Sequence, residues 1–260
     1  MKAKVLVDTN VLVASSVRAL ISEFKVDVKH LFFDISMTLI SLIREHVDKR
    51  IGVVTARIET EAHNVLERAV LDELKKAGGD YTSLSAVLNI CSDRLRRHLQ
   101  DMTREPVEQD RVDQWFMKTS AFFALQKQRM ELMDLKTIRS VAREKARFSV
   151  SKRFREIGEQ IRMGEEVGSY YQLTRLRYRP VKTNDMWILA EAAYLKQYYE
   201  KEAYVKFYLA SNDQHLSPVL DDEGQAISTK ITDEIEKEFG IRCDWPDRVS
   251  AEFEKSLAED

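Results

Sequence analysis

Apolar positions along this chain follow two rhythms, and the changes between them divide it into three stretches. In the first, Val5, Leu6 and Val7 form a short run with two β-branched members. Such a run is too short for a helix and suits a strand buried on both faces. It stops abruptly at Asp8, Thr9 and Asn10. Residues 11–24 are mostly apolar with small residues and read as a short helix leaving that strand. Over residues 28–47, Leu31, Ile35, Leu39, Leu42 and Ile43 recur at threes and fours, the stripe of a helix facing a core. A second β-branched run, residues 51–55, precedes a helix predicted over 56–76. Thr55 is placed to cap that helix. Its apolar side is Ile58, Ala62, Val65, Leu66 and Ala69, with Glu61 in the second turn at the margin.

Gly78 and Gly79 break the pattern. From about residue 81 to 168 no strand is evident, breakers are few and charge recurs at helical spacing. This stretch predicts a helical insertion of several segments, broken near Pro106 and near residues 164–168. Strand character returns at residues 173–181, and Thr183, Asn184 and Asp185 then open a helix through Ile188, Leu189, Ala192, Ala193 and Leu195. Residues 203–210 alternate as a strand and end in Ser211, Asn212 and Asp213. A helix near 232–239, a strand near 241–243 and a helix from Asp247 complete the chain. Strands alternating with helices predict an α/β fold with a mostly parallel sheet covered on both faces. The organisation expected is a core in two parts, residues 1–76 and 172–260, around an all-helical insertion at 77–171.

Composition narrows the class. The apolar fraction of 44% is ordinary for a globular core. Cys91 and Cys243 are far apart and in no metal-ligand spacing, which argues against a disulfide framework or a zinc site and fits a reducing cytosol. No signal peptide or bilayer-length apolar run is evident, so a cytoplasmic protein with no membrane partner is expected.

Candidate chemistry lies where strands give way to carboxylates. Asp8 and Asp213 follow strands directly, Glu61 is in the helix after the second strand, and Asp185 is in the first turn of a helix. In a parallel sheet all four have addresses above the carboxyl ends of the strands, where open α/β folds bind ligands. Each has an ordinary explanation alone. Asp8 and Asp185 suit helix starts, Asp213 suits a turn, and Glu61 competes with Glu59. Together they are costly: two carboxylates about 4 Å apart repel by roughly 4 kcal/mol at an effective dielectric near 20. Protonation or a hard divalent cation relieves that repulsion, and Mg2+ or Mn2+ suits oxygen ligands that leave waters in place. A Rossmann-like nucleotide site is disfavoured because no glycine-rich loop follows the first strand. An aspartyl phosphatase would need a second Asp where Asn10 stands. His215 is near these acids in the chain but reads as a surface helix residue rather than a catalyst.

The order and spacing of these motifs resemble the PIN-domain nucleases: Val-Asp-Thr-Asn at 7–10, Glu61 after a strand and Thr55, Thr-Asn-Asp-x-x-Ile-Leu at 183–189, and Leu-Ala-Ser-Asn-Asp-x-x-Leu at 209–216. The resemblance covers roughly residues 1–75 and 172–260, and the central insertion has no counterpart in a minimal PIN domain. It implies a three-layer α/β/α fold and Mg2+- or Mn2+-dependent hydrolysis of phosphodiesters, usually in RNA. The family's metal-binding acids then map onto Asp8, Glu61, Asp185 and Asp213, with Asn10 and Ser211 as polar neighbours that orient waters or the phosphate.

Net charge is only −2, but residues 136–182 hold thirteen Lys and Arg against five acids. Arg143, Lys145, Arg147, Lys152, Arg153, Arg155, Arg175 and Arg177 are the expected RNA contacts. Phosphates have to be drawn towards an acidic cleft, and a basic stretch does this. Phe148, Phe154, Tyr170, Tyr171 and Tyr178 are interleaved and suit stacking on unpaired bases. The same stretch also fits a solvated helical face, a protein-partner surface or a dimer interface. The expected function is an endoribonuclease acting on single-stranded or structured RNA. The alternative is a catalytically weak PIN-fold scaffold that binds RNA or a protein.

Overall fold

The computed structural model describes residues 2–23, 31–76, 84–148, 182–201, 205–213, 215–220, 226–228 and 230–258. They form two compact units, Met1–Phe116 with Asn184–Asp260, and Met117–Thr183. The first unit is an α/β assembly on a five-stranded, all-parallel sheet of order β3-β2-β1-β4-β7. Its strands are β1 (Lys2–Val7), β2 (Gly52–Val54), β3 (Thr103–Arg104), β4 (Val205–Ala210) and β7 (Arg242–Asp244). A short antiparallel pair, β5 (Val219–Leu220) and β6 (Ala226–Ser228), stands apart from the sheet.

The strand order explains why the site lies where it does. From β1 the chain adds β2 and β3 on one side, then returns to add β4 and β7 on the other. The order therefore reverses between β1 and β4, and open α/β sheets bind ligands above the carboxyl ends of their strands at such a reversal. The two strands pair from Lys2 with Val205 to Val7 with Ala210, so both end level. Val5, Leu6 and Val7 are fully buried, as are Leu209 and Ala210, in keeping with strands covered on both faces.

The helices of this unit are α1 (Thr9–Glu23), α2 (Leu31–Glu45), α3 (Ala56–Lys76), α4 (Leu84–Gln100), α6 (Thr183–Glu200), α7 (Lys230–Phe239) and α8 (Pro246–Ala258), with the start of α5 (Gln109–Phe148). Helix α1 packs against α2, α3 and α4, and α8 against α2 and β4. Gly52 is needed where α2 crosses β2, because a Cβ there would stand 2.7 Å from Ile43 Cγ2. Among the described residues, no helix is long and apolar enough to cross a membrane.

Three expectations change. No strand was evident between residues 81 and 168, yet Thr103 and Arg104 pair with Val53 and Val54. Helix α4 and β3, assigned by pattern to an insertion beginning at 77, belong to the first unit. The buried stripe of α3 is Ile58, Ala62, Leu66 and Val70, whereas Val65 is 37% exposed. Pro106 does fall between elements, but residues 109–148 form one 40-residue helix. Its later part lies in the second unit, where Thr119, Phe122, Phe123 and Gln126 are buried. The strand expected at 173–181 lies outside the described residues.

His98 on α4 is fully buried, with Nδ1 3.3 Å from Arg44 Nη2. Burial, and then the charges of Arg44 and Arg94, push its pKa down to about 4 from 6.5. The unfolded chain therefore takes up a proton near pH 6.5 that the folded chain refuses until about pH 4. The stability due to neutral His98 is complete above pH 6.5 and is lost as pH falls through that window. In urea denaturation, wild type should lose about 3 kcal/mol more than His98→Leu between pH 6.5 and pH 4.

Candidate metal centre

The site is built on the level ends of β1 and β4. The main-chain N–H of Asp8 donates to Ala210 O at 3.1 Å, continuing the strand pairing by one residue. Asp8 O then accepts from Val11 N and Leu12 N, so the backbone turns straight into α1. Asp8 thus does stand at a helix start, but its carboxylate is engaged across the sheet. Ser211 Oγ donates to Asp8 Oδ2 at 2.6 Å.

That hydroxyl is saturated. Ser211 Oγ also accepts from Asn10 Nδ2 at 3.2 Å and from the Asp213 main-chain N–H at 3.0 Å. A serine hydroxyl has one hydrogen and two lone pairs, and all three are used. Asn10 Oδ1 in turn accepts from the Asn212 N–H at 2.9 Å, and Asn212 Nδ2 donates to Ser36 Oγ at 2.9 Å. Asn10 and Ser211 were expected to orient waters or a phosphate; in the structure their bonds hold Asp8 and the 211–213 turn.

Glu61 reaches the same edge from α3. Its Oε2 accepts from Thr9 Oγ1 at 3.1 Å and its Oε1 from Asn184 Nδ2 at 2.9 Å. It therefore ties the start of α1 to the start of α6. Asp185, the next residue of α6, is 7% exposed, on the same side as the buried Leu189 and Ala192. Asp213 Oδ1 lies 2.8 Å from His215 Nδ1, and Asp185 Oδ2 lies 3.7 Å from the same nitrogen. Asp185, Asp213 and His215 each offer a ligand atom, and these atoms lie within 4.8 Å of one another.

Asp185, Asp213 and His215 thus form one group, which does not include Asp8 or Glu61, while the charges of Asp185 and Glu61 reach Asp8. Burial pushes the Asp8 carboxyl up to about 7, opposed by the Ser211 bond, with the negative charges of Asp185 and Glu61 adding to the rise. A donor set of carboxylates and one imidazole fits a divalent cation.

Two participants were not expected. His215, read as a surface helix residue, stands in a turn with its side chain 11% exposed and aimed at Asp185 and Asp213. The His215 main-chain N–H donates to Asp213 Oδ1 at 2.9 Å. Glu191 is buried on α6 among Ile188, Leu189, Ala190, Ala192 and Ala193. It accepts from Thr55 Oγ1 and, at 2.9 Å, from Arg57 Nε, so it fastens α6 to the start of α3. Burial raises its pKa against the pull of these two donors. Arg57 also lies over Trp187, 4.6 Å from the ring centroid, and Phe116 stacks on Trp187 at 3.8 Å.

Of the expected RNA contacts, Arg143, Lys145 and Arg147 belong to α5 in the second unit. Lys152, Arg153, Arg155, Arg175 and Arg177 lie outside the described residues.

Removing the Glu191 carboxylate strands the groups it binds. Glu191→Ala should destabilise the fold by about 2 kcal/mol in urea denaturation, less than for a wholly buried pair because Arg57 is 32% exposed. Glu191→Gln, which keeps an acceptor, should recover part of that loss.

Compared with known proteins, the chain matches no protein-family model, no curated protein and no solved structure.

Proposed function

We propose that the chain is a metal-dependent nuclease of the PIN type that hydrolyses phosphodiester bonds in RNA. The single observation behind this reading is that Asp185 and Asp213, with His215, bring ligand atoms within 4.8 Å of one another close to Asp8, whose carboxyl feels the charges of Asp185 and Glu61. The acids come from separate elements, and like charges brought near one another repel unless one is protonated or a cation lies between them. A three-layer PIN-like arrangement is part of the proposal, and the parallel sheet with α1 leaving β1 directly is compatible with it.

Asp8, Glu61, Asp185 and Asp213 would hold Mg2+ or Mn2+. Such an ion, when bound, supplies the charge that acidifies a water and stabilises a phosphate. The chain's own contribution is positional. Ser211 fixes the Asp8 carboxylate, and the Thr9 and Asn184 side chains fix Glu61. Burial keeps the Asp8 and Asp185 oxygens in a low-dielectric surrounding, where charges interact more strongly than they would in water. The basic stretch at 136–182 would supply attraction for the substrate backbone, and supports RNA as substrate by its charge alone.

Asp8→Asn should reduce Mn2+-dependent cleavage of a labelled single-stranded RNA by at least roughly a hundredfold, with the far-UV circular dichroism unchanged. Cleavage at the wild-type rate would reject the site. Reversing charge together at Arg143, Arg147 and Arg153 should weaken RNA binding by about tenfold or more and flatten its salt dependence. RNA binding without metal-dependent cleavage would favour a scaffold instead.

A further inference from the structure

We propose that His215 is itself a metal ligand, making this edge a mixed nitrogen and oxygen centre that prefers a first-row transition-metal ion to Mg2+. The inference rests on the preceding reading only in taking the edge for a cation site. It concerns a residue outside the four acids and the identity of the ion they receive.

Three observations carry it. First, the ligand atoms of His215, Asp185 and Asp213 lie within 4.8 Å of one another. Ions with bonds of about 2.0–2.2 Å set their ligand atoms roughly 3–4.4 Å apart. The two distances from His215 Nδ1, 2.8 Å to Asp213 and 3.7 Å to Asp185, are close to that range. Second, the imidazole is held in place. The His215 N–H bond to Asp213 Oδ1 sets the local turn, and Ser211 fixes the main chain of Asp213 through its own N–H. The ring is 11% exposed, so it is committed to the cleft rather than to solvent. Third, the charge balance favours a neutral donor. Asp185 and Asp213 already place two carboxylates in the group, and a further acidic ligand would add to their repulsion. An imidazole adds a ligand without adding negative charge.

The preference follows from the donor. Mg2+ takes oxygen ligands and parts with its waters reluctantly, whereas imidazole nitrogen suits first-row transition metals, with affinity rising from Mn2+ towards Co2+ and Ni2+. A centre that includes His215 should therefore separate Co2+ from Mg2+ further than carboxylates alone would.

The test uses the 260-residue chain, stripped of metal and titrated calorimetrically with Co2+ and with Mg2+. His215→Asn should weaken Co2+ binding by about 10–100-fold and change Mg2+ binding by no more than about threefold. An unchanged ratio of the two affinities overturns the proposal. A second measurement needs no variant: pulsed electron paramagnetic resonance of the Mn2+-loaded wild type should show coupling to a directly bound 14N nucleus. Bound Mn2+ without that coupling overturns the proposal however the variant behaves. The outcomes also separate this inference from the nuclease reading. Nitrogen coupling without RNA cleavage sustains the site and removes the activity, whereas metal-dependent cleavage without nitrogen coupling does the reverse. If neither ion binds, both fall.

Discussion

The bond from Ser211 to Asp8 joins the two halves of the chain at the point where the strand order reverses. It exists because β1 and β4 run parallel and end level, with Val7 opposite Ala210. Residue 8 and residue 211 are therefore adjacent although more than two hundred positions separate them. Shift that register by one residue and the carboxylate and hydroxyl part. Asp8 would then turn to the opposite face of the sheet. The apolar burial of Val5, Leu6, Leu209 and Ala210 penalises such a slip, so packing in the core maintains geometry at the edge.

Around that bond the polar groups form a closed circuit rather than a reserve of free donors. Ser211 spends its hydrogen on Asp8 and receives from Asn10 and Asp213, while Asn10 receives from Asn212. The Ser211 hydroxyl, with its hydrogen and both lone pairs engaged, fixes its neighbours, while Asn212 Oδ1 is buried without a partner. Glu61 and Glu191 extend the fastening outwards, one linking α6 to α1 and the other linking α6 to the residues that open α3. Helix α6 is thus held by carboxylates at two levels, close to Asp185 and about two turns beyond it.

The parts of this arrangement that could be read from the sequence share one property: their local pattern was decisive. Val5–Val7 and the strand ending at Ala210 are apolar runs cut off by polar residues, and both are central strands. Helix α3 was predicted over its observed span, because Thr55 and the spacing of Ile58, Ala62 and Leu66 agree. What the sequence hid depended on partners elsewhere. Thr103 and Arg104 have no strand pattern of their own and are ordered by Val53 and Val54. Val65 and Val70 are both apolar, and only the packed structure says which faces inward. His215 lies in a polar stretch where periodicity carries no information, and only the structure places its ring beside Asp185 and Asp213. Glu191 did leave a trace, since a carboxylate amid the apolar run 188–195 needs a partner if that run is buried.

The stack of Phe116, Trp187 and Arg57 has an optical consequence. Trp187 lies two residues beyond Asp185, with an aromatic ring on one side and a guanidinium on the other. Indole emission responds to the field and the neighbours of the ring, so a charge arriving at the first turn of α6 alters the light from this residue. Trp245 is 1% exposed and anchored through Nε1 to Pro218 O, and it gives a steady background in the same chain.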